Sequence, residues 1–141
     1  MIDPRAPRFA AWITTFVLAA VLLTGNPWLL AAQAVVFALG AAGRNPYAAI
    51  WKHALPKLGL KRTPPAELES AAPPRFAQAV GLVFAVVGVV GFAVGAPVVG
   101  LLATAAALAA AFLNAAFGIC LGCELYLVFQ RTTHREEGAT A

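Results

Sequence analysis

Two cysteines stand three positions apart near the carboxyl end of the chain, in the segment Cys120-Leu121-Gly122-Cys123. At this spacing two thiols can close a small disulfide ring, or two thiolates can bind one metal ion or one sulfur atom. Two cysteines in 141 residues are too few for a disulfide scaffold. The pair is therefore a candidate reactive site, and the alternative is that both are small apolar side chains of an alanine-rich helix.

The reactivity of the pair depends on the helix around it. If a helix breaks at Gly118 and restarts at Cys120, exposed backbone amides would favour Cys120 as the nucleophile and Cys123 as the resolving thiol. An unbroken helix would place both thiols at its negative carboxyl end, beside Glu124, where they would react slowly. Glu124 could act as a base, pair with a cation or mark the exit of the helix from the membrane. The candidate catalytic residues are Cys120, Cys123 and Glu124, and the sequence leaves both helix arrangements open.

A metal site would need more ligands than the cysteine pair supplies. Structural zinc usually has four protein ligands, so Cys120 and Cys123 would need two others, such as a second cysteine pair across a dimer. His53 and His134 lack the spacing of metal ligands and are predicted to be solvated or interfacial. We expect no cofactor, with zinc as the alternative.

The composition is that of a membrane protein. Hydrophobic residues make up 61% of the chain and charged residues 11%, whereas soluble domains have about 25% charged residues. The formal charge of +4 does not indicate a nucleic-acid partner, because the cations lie beside long apolar runs and form no patch with interleaved aromatic residues. The expected partner of the surface is the lipid bilayer.

Turn residues divide two long uncharged runs into four apolar segments. The first run ends at Arg44 and is split by Gly25-Asn26-Pro27, and the second begins at Phe76 and is split by Gly95-Ala96-Pro97. The sequence therefore predicts an all-α fold in a single domain, residues 1–131, with a four-helix transmembrane bundle made of two hairpins. The predicted helices cover about 9–24, 28–43, 76–94 and 97–118 or beyond.

The two hairpins resemble each other. Arg8-Phe9-Ala10 opens the first and Arg75-Phe76-Ala77 the second, and residues 37–43 resemble 112–118. Either the hairpins are a parallel internal repeat or apolar helices are alike by composition.

The distribution of cations predicts the orientation. All ten Lys and Arg residues fall before the first hairpin, in the loop 44–75 or after the last helix, and the opposite turns carry no charge. The positive-inside rule then places both termini and this loop in the cytoplasm. The first apolar segment lacks a clear cleavage site and is predicted to be retained.

The loop 44–75 has two predicted parts. A short interfacial helix with aromatic and basic anchors is interrupted at Pro56. The residues 63–69 and the pair Pro73-Pro74 have the composition of a linker. The segment 132–141 is predicted to be a disordered cytoplasmic tail.

Small and polar residues inside the apolar runs predict helix packing. The glycines of the third segment form a close-packing seam, within one bundle or in a homo-oligomer: Gly81, Gly88, Gly91 and Gly95. Gln33, Gln78 and Asn114 are predicted to make hydrogen bonds between helices.

Several segments resemble the bacterial membrane family called domain of unknown function 4395. That family has no established activity, so the resemblance implies a multi-pass protein of the bacterial plasma membrane and leaves its chemistry open. It also suggests genomic neighbours of the thioredoxin-like and sulfurtransferase classes, and the four-helix outline is similar to DoxX-like proteins linked to thiol redox and sulfur metabolism. The resemblance rests on the start at Asp3-Pro4-Arg5, on Pro64 to Glu69, on Pro74 to Gly81 and on Phe112 to Glu124.

These observations support two hypotheses of different classes. In the first, Cys120 and Cys123 exchange electrons or a sulfur atom with a cytoplasmic thioredoxin-like or sulfurtransferase protein. In the second, the chain is a non-enzymatic scaffold or small transporter subunit whose cysteines are structural or bind zinc.

Overall fold

The computed structural model describes residues 5–59 and 72–140, with side chains to Thr133. Within these ranges the chain is helical and contains no strand, which confirms the predicted all-α class. The helices are α1 (Arg5–Thr24), α2 (Pro27–Ala41), α3 (Pro46–Lys57), α4 (Ala72–Ala93), α5 (Pro97–Phe117) and α6 (Leu121–Thr140).

Three helices, α1, α4 and α5, are each long and apolar enough to cross a membrane. Helix α2 has 15 residues, fewer than the roughly 20 that a span of about 30 Å requires. Helices α2 and α3 meet at a bend of 78°, and together they are long and apolar enough to form one broken span. The chain thus has three or four candidate spans, as expected of a multi-pass membrane protein.

The two predicted turns lie between the helices as expected. Helix α1 ends at Thr24 and α2 begins at Pro27, while α4 ends at Ala93 and α5 begins at Pro97. Proline suits the first position of a helix because its missing N–H would have no helical partner there.

The helices pack around a shared core. Helix α1 packs on α5 and α2, and α4 packs on α2 and α5. Because lipid tails are as apolar as leucine, close packing rather than hydrophobic burial holds such helices together. The core consists of Leu18, Val21, Leu30, Phe37, Ala85 and Ala107.

Three of the four seam glycines pack within this chain. A Cβ on Gly91 would lie 2.8 Å from the backbone nitrogen of Gly100 on α5, and one on Gly81 would lie 2.9 Å from the Phe37 ring on α2. Gly88 likewise faces Leu30. Gly95 is not part of the seam: it lies in the turn after α4, and nothing comes within 4 Å of the Cβ position.

The structure corrects several predicted helix ends. Helix α4 starts at Ala72, so Pro73 and Pro74 lie in its first turn and not in a linker. Helix α3 continues through Pro56 to Lys57, where a proline removes only one hydrogen bond of the last turn. The backbone of α6 is helical to Thr140, so the predicted disorder of 132–141 is wrong for that part. Polar composition alone did not exclude a helix, because Arg and Glu are good helix formers. The predicted linker 63–69 lies outside the described residues.

Two arginines join the helix ends at one end of the molecule. The Arg8 guanidinium donates to the carbonyl of Ala115 at the end of α5 (3.2 Å). The Nε of Arg75 donates to the carbonyl of Ala41 at the end of α2 (3.0 Å). The starts of α1 and α4 therefore lie beside the ends of α5 and α2, so the described cations next to these helix ends share one side of the fold.

A buried hydrogen-bond network joins α1, α2 and α3. Gln33 is 1% exposed, its Oε1 accepts from the Tyr47 hydroxyl (2.8 Å), and its Nε2 donates to the Thr14 hydroxyl (3.5 Å). This confirms the interhelical hydrogen bond predicted for Gln33.

Replacing Gln33 with leucine should destabilise this junction. We expect Gln33→Leu to lower the free energy of unfolding in detergent by about 1–2 kcal/mol, because it leaves the Tyr47 and Thr14 hydroxyls without this partner. Tyr47→Phe, which removes one bond, should cost less. Gln130→Leu is the control, since Gln130 bonds Tyr126 on an exposed surface and should change stability by no more than about 0.5 kcal/mol. A Gln33→Leu protein as stable as the unmutated chain would contradict the prediction.

Candidate functional site

Helix α5 ends just before the cysteine pair. Gly118 has φ 71° and ψ 13°, the left-handed conformation that glycine adopts without a Cβ clash. Its N–H donates to the Asn114 carbonyl (3.0 Å), and the N–H of Ile119 donates to the Leu113 carbonyl (3.2 Å). The bond from Gly118 is the 5→1 bond of the αL motif that closes a helix. Of the two arrangements left open by the sequence, the structure has the broken helix.

Cys120 caps the helix that follows. Its carbonyl accepts from the N–H of Glu124 (3.0 Å), which is the first helical hydrogen bond of α6. Its Sγ accepts from the N–H of Cys123 (3.2 Å), so sulfur occupies the place of the usual N-cap oxygen. The helix begins at Leu121 rather than at Cys120 itself. A negative charge on this sulfur would lie at the positive end of the helix dipole.

The two cysteines are joined by a disulfide, with their Cα atoms 5.2 Å apart. Both are partly buried, whereas Glu124, one position further along, is exposed. Among the described residues, no group of three or more His, Cys, Asp or Glu side chains is placed to hold a metal ion. Zinc at the pair would therefore need ligands from outside this set.

Close contact with α4 positions the start of α6. A Cβ on Gly122 would lie 2.6 Å from both the Cα and the Cβ of Ala77, so only glycine fits without a shift of the backbone. One turn further, the rings of Phe76 and Tyr126 are 5.6 Å apart. The sequence marked Gly122 only as a neighbour of the cysteines, because nothing local reveals that Ala77 lies opposite.

A cavity of about 880 Å³ lies beside the cysteine pair, between α1, α4, α5 and α6. Its wall is largely apolar and is rich in alanine from α5. The three predicted site residues line it together with four other polar side chains: Arg8, Thr14, Gln78 and Asn114. The sequence does not predict this cavity, and its one local signal is the run of small residues from Ala103 to Ala111.

Neither Gln78 nor Asn114 makes a side-chain hydrogen bond to another residue in the described part of the chain. The interhelical hydrogen bonds predicted for them are therefore not found there. Both side chains line the cavity.

The capped turn at the cysteines has a counterpart in the first half of the chain. Gly43 has φ 85°, and two residues later the side chain of Asn45 caps α3 by accepting from the N–H of Tyr47 (3.0 Å). Gly118 and Cys120 have the same spacing before α6. Asn45 and Cys120 thus each cap a helix two residues after a glycine with positive φ.

The aromatic contacts correspond as well. The rings of Phe9 and Trp51 are 5.2 Å apart at 40°, and those of Phe76 and Tyr126 are 5.6 Å apart at 47°. Trp51 and Tyr126 each lie six residues after the cap. The likeness of the two hairpins therefore extends to the helices α3 and α6.

The family model described as Domain of unknown function (DUF4395) matches residues 2–131. No curated protein and no solved structure matches the chain.

Proposed function

The chain belongs to the DUF4395 family, and from the geometry of its own residues we propose that Cys120 and Cys123 exchange electrons or a sulfur atom with a soluble thiol protein. The observation that carries this proposal is the place of the Cys120 sulfur at the N-cap of α6. Helix amino termini stabilise thiolates, and the thiolate is the nucleophile in thiol-disulfide exchange.

In the reduced pair, Cys120 is the attacking thiolate. Its sulfur attacks a partner disulfide, forms a mixed disulfide and releases the partner's first thiolate. Cys123, three residues further along the helix start, then attacks Cys120, so the S–S bond of the pair forms and the partner leaves with both of its cysteines reduced. For a partner persulfide, the same two attacks release hydrosulfide. Glu124, which lines the same cavity, accepts the proton that Cys123 loses.

The membrane arrangement that goes with this function is a four-helix bundle in a bacterial plasma membrane, with α2 and α3 contributing the fourth span and its interfacial end. Both termini and the cysteine pair face the cytoplasm in this arrangement, because the cations gather on that side. Thioredoxin-like and sulfurtransferase proteins are then the partner classes. The cytoplasm keeps thiols reduced, so the disulfide of the pair is one stage of a cycle.

We also propose that the units α1–α3 and α4–α6 are copies of one three-helix element. The corresponding caps, ring contacts and arginine-to-carbonyl hydrogen bonds support this. In this arrangement Asn45 and Ala48 occupy the places that Cys120 and Cys123 occupy in the second copy.

A trapping experiment tests the exchange reaction. In Cys123→Ser the mixed disulfide on Cys120 cannot be resolved, so we expect a partner of the thioredoxin-like or sulfurtransferase class to accumulate on the membrane protein and to be released by reductant. Cys120→Ser is the matched control and should trap at least about tenfold less, because its remaining thiol lacks the N-cap position. Equal trapping by the two variants, or none by either, would contradict the proposal.

The alternative is a non-enzymatic scaffold or small transporter subunit, with the cysteines structural or bound to zinc. It would be supported by unchanged function of the double variant Cys120→Ser/Cys123→Ser and by zinc in the purified protein. A homo-oligomer in this arrangement would need a surface other than Gly81, Gly88 and Gly91, which face α2 and α5 of the same chain.

A further inference from the structure

The helix start at the cysteine pair lacks a side-chain hydrogen bond that is present at the start of α3 in the first half of the chain. In the first half, Tyr47 stands two residues after the cap and reaches Gln33 on α2. The residue two after Cys120 is Gly122, and the α5 residue that corresponds to Gln33 is Leu108, so no such bridge forms. The second half therefore lacks the side-chain bridge that joins α3 to α2 in the first half.

We propose that this cavity binds a lipid-soluble quinone, which accepts two electrons from the reduced Cys120–Cys123 pair. The inference rests on the proposed thiol exchange and adds its second substrate. Thiol-disulfide exchange is reversible, so a partner dithiol reduces the disulfide of the pair by the reverse of the two attacks of that exchange and leaves with its own disulfide formed. The reduced pair must then pass its two electrons on, and the acceptor must reach the sulfurs by another route. The cavity supplies that route.

The cavity walls favour an apolar molecule that arrives from the bilayer. They are formed largely by α1, α4 and α5, the three helices apolar enough to span a membrane. The volume of about 880 Å³ lies within the roughly 300–1,000 Å³ range of small-molecule sites. A water-soluble acceptor would gain nothing from such walls.

The polar groups in the cavity favour a quinone over a lipid acyl chain. The amides of Gln78 and Asn114 line the cavity and lack hydrogen-bond partners among the described residues. Their N–H groups can donate to the two carbonyl oxygens of a quinone ring, whereas an acyl chain would leave them unpaired. Cys120 and Cys123 line the same cavity.

The electron transfer balances between these two reactants. The dithiol loses two electrons and two protons as the bond between the two Sγ atoms forms. The quinone gains two electrons and two protons and becomes the hydroquinone. Glu124 at the cavity carries one proton between the sulfurs and solvent.

Neighbouring alanines on α5 give a matched pair of variants. Ala110 lines the cavity, whereas Ala109 is exposed and does not. Ala110→Leu fills the cavity, and Ala109→Leu adds the same side chain outside it. The full chain in detergent is reduced, freed of reductant without oxygen, and mixed with a fully substituted benzoquinone bearing a decyl tail, which has no free ring position for thiol addition. Quinone absorbance and free thiols are then followed.

We expect one quinone to be reduced for each cysteine pair oxidised. Ala110→Leu should slow this reaction at least about tenfold, equivalent to about 1.4 kcal/mol, while Ala109→Leu should stay within about twofold of the unmutated rate. Both variants should still unfold cooperatively in detergent, which shows that both are folded.

Three outcomes would overturn the inference. The thiols could stay reduced after quinone is added, or the two leucine variants could slow the reaction equally. A co-purified phospholipid could also occupy the cavity and not be displaced by the quinone. If Cys123→Ser still traps a soluble partner in any of these cases, the proposed thiol exchange survives and only the quinone site fails. Loss of both results would remove both proposals.

Discussion

Replacing Gly122 with alanine should lower the free energy of unfolding by about 1–2 kcal/mol, although alanine favours a helix. Helix propensity alone predicts a gain of about 1 kcal/mol for this change. The added Cβ, however, would lie 2.6 Å from the Cα of Ala77, and overpacking of this kind costs about 1–3 kcal/mol. Since the obstructing atom belongs to the backbone of α4, α6 must move away from α4 and carry the cysteine pair with it.

Gly40→Ala is the matched control for this prediction. Gly40 is also a helical glycine in close contact with another helix, and its Cβ would lie 2.7–2.9 Å from Oε1, Cγ and Cδ of Gln78. All three atoms belong to one flexible side chain, which can adopt another rotamer without a backbone shift, so we expect stability to change by less than about 0.5 kcal/mol. Unfolding in detergent, followed by tryptophan fluorescence, measures both variants. A Gly122→Ala protein more stable than the unmutated chain would show that α6 does not depend on this contact.

Replacing Gly118 with valine should lower the reactivity of Cys120 about tenfold. A β-branched residue at φ 71° pays about 1–2 kcal/mol, so the break between α5 and α6 shifts and Cys120 loses its place as the cap. Charge stabilisation at a helix terminus contributes up to about 2 kcal/mol, which is more than a tenfold change in thiolate population. The rate of iodoacetamide labelling of the reduced protein at neutral pH, resolved for each cysteine by mass spectrometry, measures the change.

Gly118→Asn is the control that removes the glycine but keeps the left-handed backbone conformation at this position. Asparagine tolerates the left-handed region better than other non-glycine residues, so we expect labelling of Cys120 within about threefold of the unmutated rate. If valine and asparagine slowed the reaction equally, the position of the helix break would not control the thiol.

The hydrophobic pattern and the turn residues were sufficient to predict α1, α2, α4 and α5, but not the separate helix α6. The long uncharged runs identified the apolar segments, and Gly-Asn-Pro and Gly-Ala-Pro located the turns between them. These features act within a few residues of the chain, so no knowledge of the fold is needed to interpret them. The ends were less accurate at Pro73 and Pro74, because a proline pair suits both a linker and a first helical turn.

The cysteine site could be predicted only in part from the sequence. Its spacing and the neighbouring Gly118 marked it as a candidate site, and both helix arrangements remained possible. Which one forms depends on the helix-closing hydrogen bonds at Gly118 and Ile119 and on the contact of Gly122 with Ala77, a residue 45 positions away.

The sequence by itself determined that this chain is helical, apolar enough to lie in a membrane, and equipped with one closely spaced cysteine pair, since composition and local spacing carry that information. Only the tertiary structure decided that the Cys120 sulfur caps α6, that Gln78 and Asn114 line a cavity with it, and that Tyr47 of α3 donates to Gln33 of α2. Those facts depend on which helices pack together and on how they are shifted along one another, and contacts between segments distant in the sequence determine both.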